Sequence, residues 1–411
     1  MTNQDNFIWQ EQARLFAGST QIARPVPTRA AEFEAIAATP AATCLARLGG
    51  RLLAGGGFCV SNDSVASGQS VPQDHFLTLT GGSTGRPKMI LRSQRSWIAS
   101  FLQNAAMFGI GAADRVAVPG GLIHSLALYG VLEGLHLGAD VHVLDGLSPR
   151  AQLGECIDRG VSVLYATPVQ LQRLTRAAGG QRLPRLRLIL CGGGALQPAT
   201  RAAVATLAPA AAFYQFYGAA ETSFITLGGP TTPEGSVGRA YPGVTLRILD
   251  DAGHPSDGVG EVWARSPYLF ERYLGAPDAK LQQRDGFVSV GEMGRLDADG
   301  WLWLSGRRSR MVQIADQNVH PETVEEFISS LPDIADCAVV PRPDMLRGYR
   351  LEAWLEGPKD AVLAEAVQRA CRASLGPLVA PRVIHFVPTL PRLASGKIDH
   401  AELAHLAEKT R

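Results

Sequence analysis

The nine residues Thr80-Gly81-Gly82-Ser83-Thr84-Gly85-Arg86-Pro87-Lys88 hold three glycines, three hydroxyl side chains and a terminal lysine. Glycine lets backbone N–H groups approach an anion closely. Hydroxyls donate to phosphate oxygens, and the lysine adds a point charge. The run is entered from Leu77-Thr78-Leu79, an apolar strand-like segment, so it reads as a loop built to hold a polyphosphate. It is not a Walker A loop, which ends in Gly-Lys-Ser/Thr and opens a helix. Here Pro87 precedes Lys88 and Met89 follows it.

Other segments of catalytic type follow in order: Tyr217-Gly218-Ala219-Ala220-Glu221, Gly260-Glu261-Val262, Gly291-Glu292, Gly306-Arg307, Asn318-Val319-His320-Pro321 through Glu325, and Ser395-Gly396-Lys397-Ile398-Asp399. Together with the loop, this set resembles the adenylate-forming superfamily of acyl-CoA synthetases, aryl-acid ligases, luciferases and peptide-synthetase adenylation domains. The resemblance covers residues 75 to 411. It implies a short, stand-alone acyl- or aryl-acid ligase. Such an enzyme activates a small carboxylic acid with ATP and Mg2+ as an acyl-adenylate, then transfers it to a phosphopantetheine thiol. The expected acceptor is a separate acyl carrier protein in preference to coenzyme A. An amide or ester ligase without a thioester step, and a non-catalytic nucleotide-binding relative, are the alternatives.

Both reactants of such a reaction are anionic, so cations and donors are needed where charge develops. The resemblance assigns Thr80, Gly82, Ser83, Thr84, Gly85 and Lys88 to the β- and γ-phosphates, and Glu221 to magnesium. Tyr217 and Gly218, with the backbone of Gly192, Gly193 and Gly194, are expected at adenine. Glu292 is expected at the ribose hydroxyls, and Arg307 at the same ribose or the α-phosphate. Lys397 is expected to bridge the substrate carboxylate and α-phosphate, and His124, beside the carboxylate site, to gate ATP or line the acyl pocket. Ser125 stands where amino-acid-activating members carry an aspartate for the substrate ammonium. A buried unpaired ammonium is costly, so a plain carboxylic acid is expected.

The chain departs from the family pattern at several positions. Ala220 replaces a hydroxyl residue that binds phosphate, unless Thr222 or the backbone compensates. Glu292 replaces an aspartate. Ser309 sits at the hinge position. Ala315-Asp316 replaces a glycine-rich turn lining the thiol tunnel, which puts the second half-reaction in question.

Composition sets outer bounds. The 411 residues are 46% apolar and 19% charged, enough for two or more cored domains. The formal charge of +1 gives no electrostatic pull toward nucleic acid or anionic membrane. The six cysteines make no C-x-x-C and have no zinc spacing, as expected of reduced thiols in a cytoplasmic protein. Met1-Thr2-Asn3-Gln4-Asp5 does not start a signal peptide, and no apolar run is long enough to span a bilayer.

The elements that must position these residues follow from periodicity. Residues 1–74 read as Ala/Gly-rich with helix-like stretches at Glu11 to Phe16 and Ala30 to Ala38, an N-terminal subdomain expected to be shortened. From 110 to 220, short Val/Ile/Leu runs alternate with helical segments such as Ser125 to Leu137 and Pro198 to Leu207. This alternation predicts a doubly wound α/β layer with a parallel sheet. From Val244 to Leu304, shorter runs separated by turns predict a small antiparallel barrel-like subdomain. A small mobile C-terminal α/β domain is expected after a boundary between residues 308 and 309. That makes 1–308 the adenylation domain and 309–411 the domain that swings about Ser309.

Overall fold

The computed structural model describes residues 5–26, 33–62, 71–80, 88–275, 281–315, 317–393 and 397–409, with Thr80 described by its backbone alone. The fold is mixed α/β, with a large N-terminal sheet domain and a small C-terminal domain.

Five parallel strands form the centre of the large sheet. Their spatial order is Asp140–Val143, Arg115–Val118, Val163–Ala166, Leu188–Gly192, Ala212–Ala219. All but the last are almost wholly buried, as expected of strands covered on both faces. Helix Ser125–Leu137 packs with Val116, Val118, Val141 and Val163 in one core. Helices Pro149–Asp158, Pro168–Ala177 and Pro198–Leu207 supply Leu153, Leu171, Leu174 and Val204 to a second core with Ala117, Leu164 and Ile189. The chain leaves Arg115–Val118 for its neighbour on one side, then crosses to Val163–Ala166 on the other. That reversal is a topological switch point, where open α/β sheets form crevices at the carboxyl ends of their strands.

A second sheet runs Arg272–Leu274, Lys88–Ser93, His75–Thr80, Gly57–Ser61, Phe33–Ala37. Its strands His75–Thr80 and Lys88–Ser93 pair antiparallel with Thr80 opposite Lys88. The phosphate-loop residues Gly82, Ser83, Thr84 and Gly85, which connect them, lie outside the described residues.

The N-terminal segment differs from its helical reading. Glu11 to Phe16 enters strand Leu15–Ala17, which pairs parallel with Val141 to Val143 and carries Leu15 fully buried. Within Ala30 to Ala38, the described part is strand Phe33–Ala37, parallel to Gly57–Ser61; the helix lies later, at Ala41–Ala54. Sheet pairing and burial override the strong helix propensity of alanine.

By contacts, the chain divides into two compact units. One holds Met1–Leu246, Ala264–Val288 and Ala298–Leu302; the other holds Arg247–Trp263, Ser289–Asp297 and Trp303–Arg411. The second unit thus takes in segments that the sequence reading assigned to residues 1–308. Ion pairs account for part of this grouping: Arg308 reaches Asp251 at 3.0 Å and Glu261 at 3.3 Å. Strands Cys337–Asp344 and Gly348–Glu356 form a hairpin there, and Val383–Val387 adds in parallel. Helices Pro321–Ser330 and Ala361–Leu375 cover them through Val324, Ile328, Val367 and Cys371. All six cysteines are buried free thiols. Burial pushes Cys156 and Cys191 up to about 12, which removes them as nucleophiles. Among the described residues no helix is long and apolar enough to cross a membrane.

Candidate functional site

Lys88 opens strand Lys88–Ser93, whose period of two puts Lys88, Ile90 and Arg92 on one face. Strand Arg272–Leu274 pairs alongside with Tyr273 opposite Ile90. The Tyr273 hydroxyl donates to Glu221 Oε1 at 2.7 Å, and the Lys88 ammonium lies 5.9 Å from the Tyr273 ring centroid. One tyrosine therefore links the lysine at the end of the phosphate loop to the candidate magnesium carboxylate.

Glu221 sits in a tight turn between strands Ala212–Ala219 and Ser223–Gly228. Gly218 is required at its start, because a Cβ there would meet the Ser223 carbonyl oxygen at 1.8 Å. A register shift at Tyr217/Gly218 re-aims the chain into the turn. The Ala219 N–H donates to the Thr222 hydroxyl at 3.0 Å, and the Thr222 N–H returns to the Ala219 carbonyl at 3.1 Å. Thr222 is 1% exposed, and its hydroxyl is taken up in closing the turn. The Phe270 N–H holds the Glu221 carbonyl at 2.8 Å. Ser223 has φ 57°, a left-handed conformation uncommon for a non-glycine residue.

Arg92, missed by the sequence reading, is fully buried. It donates to the Ala220 carbonyl through Nε at 3.2 Å and Nη2 at 2.8 Å, to the Tyr268 carbonyl at 2.8 Å and to the Ser96 hydroxyl at 3.2 Å. Burial pushes the guanidinium down to about 9, against the opposing pull of the Glu221 charge. The clue available in sequence was a lone arginine in the run Met89-Ile90-Leu91-Arg92, two residues from Ile90 and four from Lys88.

His124 immediately precedes helix Ser125–Leu137, without a side-chain capping bond, at the switch point, and forms a parallel bridge with Leu79, next to Thr80. This contact brings the strand entering the phosphate loop to the start of that helix. The Ser125 hydroxyl oxygen is buried and has no hydrogen-bond partner among the described residues. Gly192 ends strand Leu188–Gly192, in register with Phe216. A Cβ at Gly192 would lie 2.2 Å from the Phe216 ring, and Gly193 has φ 92°. The Gln215 amide fixes the Gly194 carbonyl at 3.2 Å. Gly192, Gly193, Gly194 and Tyr217 therefore lie on neighbouring strand ends, within the same unit as Lys88, His124 and Glu221.

In the second unit Glu292 and Arg307 meet at 3.0 Å, with Glu292 mostly buried and the Arg307 side chain half exposed. Ser309 lies in the 3-10 turn Arg308–Arg310. Arg310 anchors this turn, pairing with Glu325 through both nitrogens and with Glu322 at 3.2 Å. Ala315 has φ 52° at the turn between Val312–Ile314 and Gln317–Val319, where glycine is the expected residue; Asp316 lies outside the described residues. Lys397 is exposed and lies in a separate loop. Its carbonyl accepts from Leu393 N–H at 2.8 Å, and Arg392 pairs with Ile398. Arg392 is tied to Asp336 at 2.7 Å and Glu356 at 3.0 Å, which gives the loop a fixed base.

Among the described residues no three His, Cys, Asp or Glu side chains gather as a metal cage. Glu221 suits a cation that takes most of its ligands from phosphate and water, as magnesium does.

Residues 38–274 match the model of the AMP-binding enzyme family, and residues 323–397 match that of the AMP-binding enzyme C-terminal domain. The chain is 30% identical over 368 residues to an uncharacterized acyl-CoA ligase of Bacillus subtilis, covering 86% of this chain and 74% of that protein. It is 30% identical over 365 residues to a 3-hydroxybenzoate-CoA ligase of Aromatoleum, covering 85% and 69%. Among solved structures, an amide bond synthetase from Marinactinospora thermotolerans superposes with a TM-score of 0.73 at 25% identity, over 91% of this chain and 80% of that one.

Proposed function

Because the chain belongs to the AMP-binding enzyme family, we propose that it joins a small aryl or acyl carboxylic acid to the α-phosphate of ATP and then passes the acyl group to a thiol. Its class is acid–thiol ligase, the class of the named relatives. The observation that carries the reading is the Lys88–Tyr273–Glu221 link at the mouth of the phosphate-loop strands. It joins a cation and a carboxylate suited to magnesium through one tyrosine, the two kinds of charge that pyrophosphate departure calls for. Magnesium held by Glu221 would neutralise charge on the leaving pyrophosphate.

In this reading Lys88 and the loop bind the β- and γ-phosphates. The strand ends at Gly192, Gly193, Gly194 and Tyr217 receive adenine, and Glu292 with Arg307 orients the ribose. His124 lines the acid site, and Lys397 neutralises the carboxylate and α-phosphate as the new bond forms. The sequence favoured a carrier-protein acceptor, whereas the relatives' names favour coenzyme A, so coenzyme A is the first acceptor in this proposal. Ala315 in a left-handed turn motivates a second reading, an amide ligase, which the amide bond synthetase fold also supports.

The test is single-turnover transfer from a preformed adenylate to coenzyme A, to a phosphopantetheinylated carrier or to a simple amine. Acyl-CoA as the main product supports the proposal. Amide formation without any thioester would replace it with the second reading.

A further inference from the structure

We propose that Arg92 and Tyr273 are positioning residues for Glu221, one fixing its backbone and the other its carboxylate, and that together they set how strongly magnesium tightens ATP binding. The inference rests on the reading of Glu221 as the magnesium ligand.

Arg92 is wholly buried, yet no carboxylate lies within ion-pair distance of it among the described residues. Its donors go to two carbonyls and a hydroxyl instead. Burying a cation this way is expensive unless its donors are well used. Here two of them close on the carbonyl of Ala220, the residue before Glu221, and a third holds the Tyr268 carbonyl. Further bonds fix the rest of the turn. Phe270 N–H takes the Glu221 carbonyl, the Trp97 indole donates to the Ser223 hydroxyl at 3.1 Å, and that hydroxyl donates to the Tyr268 carbonyl at 3.2 Å. These contacts hold Ser223 at φ 57°, a conformation that persists only where its surroundings impose it.

With the backbone fixed, the Glu221 side chain is set by the Tyr273 hydroxyl on Oε1. Among the described residues Oε2 accepts no hydrogen bond, which suits a single-oxygen ligand to an octahedral cation. Groups that orient a metal ligand in this way typically change metal affinity about 10–100-fold when removed.

The experiment is calorimetric titration of the full chain with ATP, once with magnesium and once with a chelator, alongside a thermal melt. Tyr273→Phe keeps the ring against Lys88 and removes only the hydroxyl. It should cut the magnesium-dependent gain in ATP affinity about tenfold, while chelated ATP binds within about twofold of wild type and the melt is unchanged. Arg92→Lys should cut the same gain, with a lower melting point. If both variants keep the full gain, or lose ATP affinity equally with and without magnesium, the positioning roles are overturned. Glu221→Gln is the control for the underlying reading. If that variant keeps the full magnesium gain, Glu221 is not the ligand and both claims fall together.

Discussion

Lys397 is the residue whose role separates a catalyst from a nucleotide binder. Its loop is built on Arg392, Asp336 and Glu356, while the lysine itself faces solvent. A group engaged only as the acyl-phosphate bond forms changes rate and leaves ground-state binding alone. Lys397→Ala should therefore lose more than tenfold in the adenylation rate, at least about 1.4 kcal/mol, while calorimetry shows ATP binding retained. Loss of binding with an intact rate would reassign it to the ground-state complex. Ala315 permits a second test. An L-residue held left-handed costs about 1–2 kcal/mol, and glycine regains most of this less its own entropy cost of roughly 0.5–1 kcal/mol. Ala315→Gly should raise the melting transition of its unit by about 1–3 °C, and a fall would show that the turn does not rest in that conformation. At this scale the sequence displayed Lys88, Glu221, Glu292, Arg307 and Lys397, because each sits in a short motif. Arg92 and Tyr273 were hidden because their partners are 128 and 52 residues away, and no local pattern records such pairings.

At the scale of elements, helix Ser125–Leu137 does two jobs. Its start places His124 and Ser125 at the switch point, and its middle carries a buried polar network. Glu133 is fully buried and accepts hydrogen bonds from Asn104 at 2.8 Å, from Tyr129 at 3.3 Å and from Tyr165. Tyr241 completes the network by donating to Asn104 at 2.7 Å. Burial lifts the Glu133 carboxyl from 4.5 to about 7, against these hydrogen bonds. The folded chain therefore holds this proton more tightly than the unfolded chain. The resulting contribution to stability is complete below pH 4.5 and is lost as pH rises through about 7. Glu133→Gln should flatten the stability profile across that interval, measured as denaturant midpoints in steps of pH. An unchanged slope would place the proton linkage elsewhere.

The same helix shows what periodicity could reveal. It and Pro198–Leu207 have the bounds expected from their patterns, since Gly138 just past the end of the first and Pro198 at the first turn of the second mark those ends locally. Leu15–Ala17 and Phe33–Ala37 were misread as helix because they are short, and their parallel partners, Val141 to Val143 and Gly57–Ser61, lie further along the chain. Strands Gly348–Glu356 and Val383–Val387 went unassigned in sequence; the first closes a local hairpin, and the second adds beside it, pairing Glu352 with Val383.

At the scale of the whole molecule, the doubly wound sheet was legible because its βα alternation repeats along one continuous stretch. The grouping of Arg247–Trp263 and Ser289–Asp297 with the C-terminal segment was not, because it depends on contacts such as Arg308 with Asp251 and Glu261. The two units carry different parts of the proposed chemistry. Lys88, His124, Glu221 and Tyr217 belong to one; Glu292, Arg307 and Lys397 belong to the other. The proposed chemistry begins with formation of an acyl-adenylate by the full chain. The direct measurement is acid-dependent exchange of labelled pyrophosphate into ATP by the full chain with magnesium, across a panel of aryl acids, aliphatic acids and the twenty common amino acids. Robust exchange is expected with at least one plain acid. Little is expected with any free amino acid, because Ser125 offers no charge to an ammonium. Exchange with no acid in the panel, in a preparation that binds ATP, would contradict adenylation; exchange led by an amino acid would contradict the assigned substrate class.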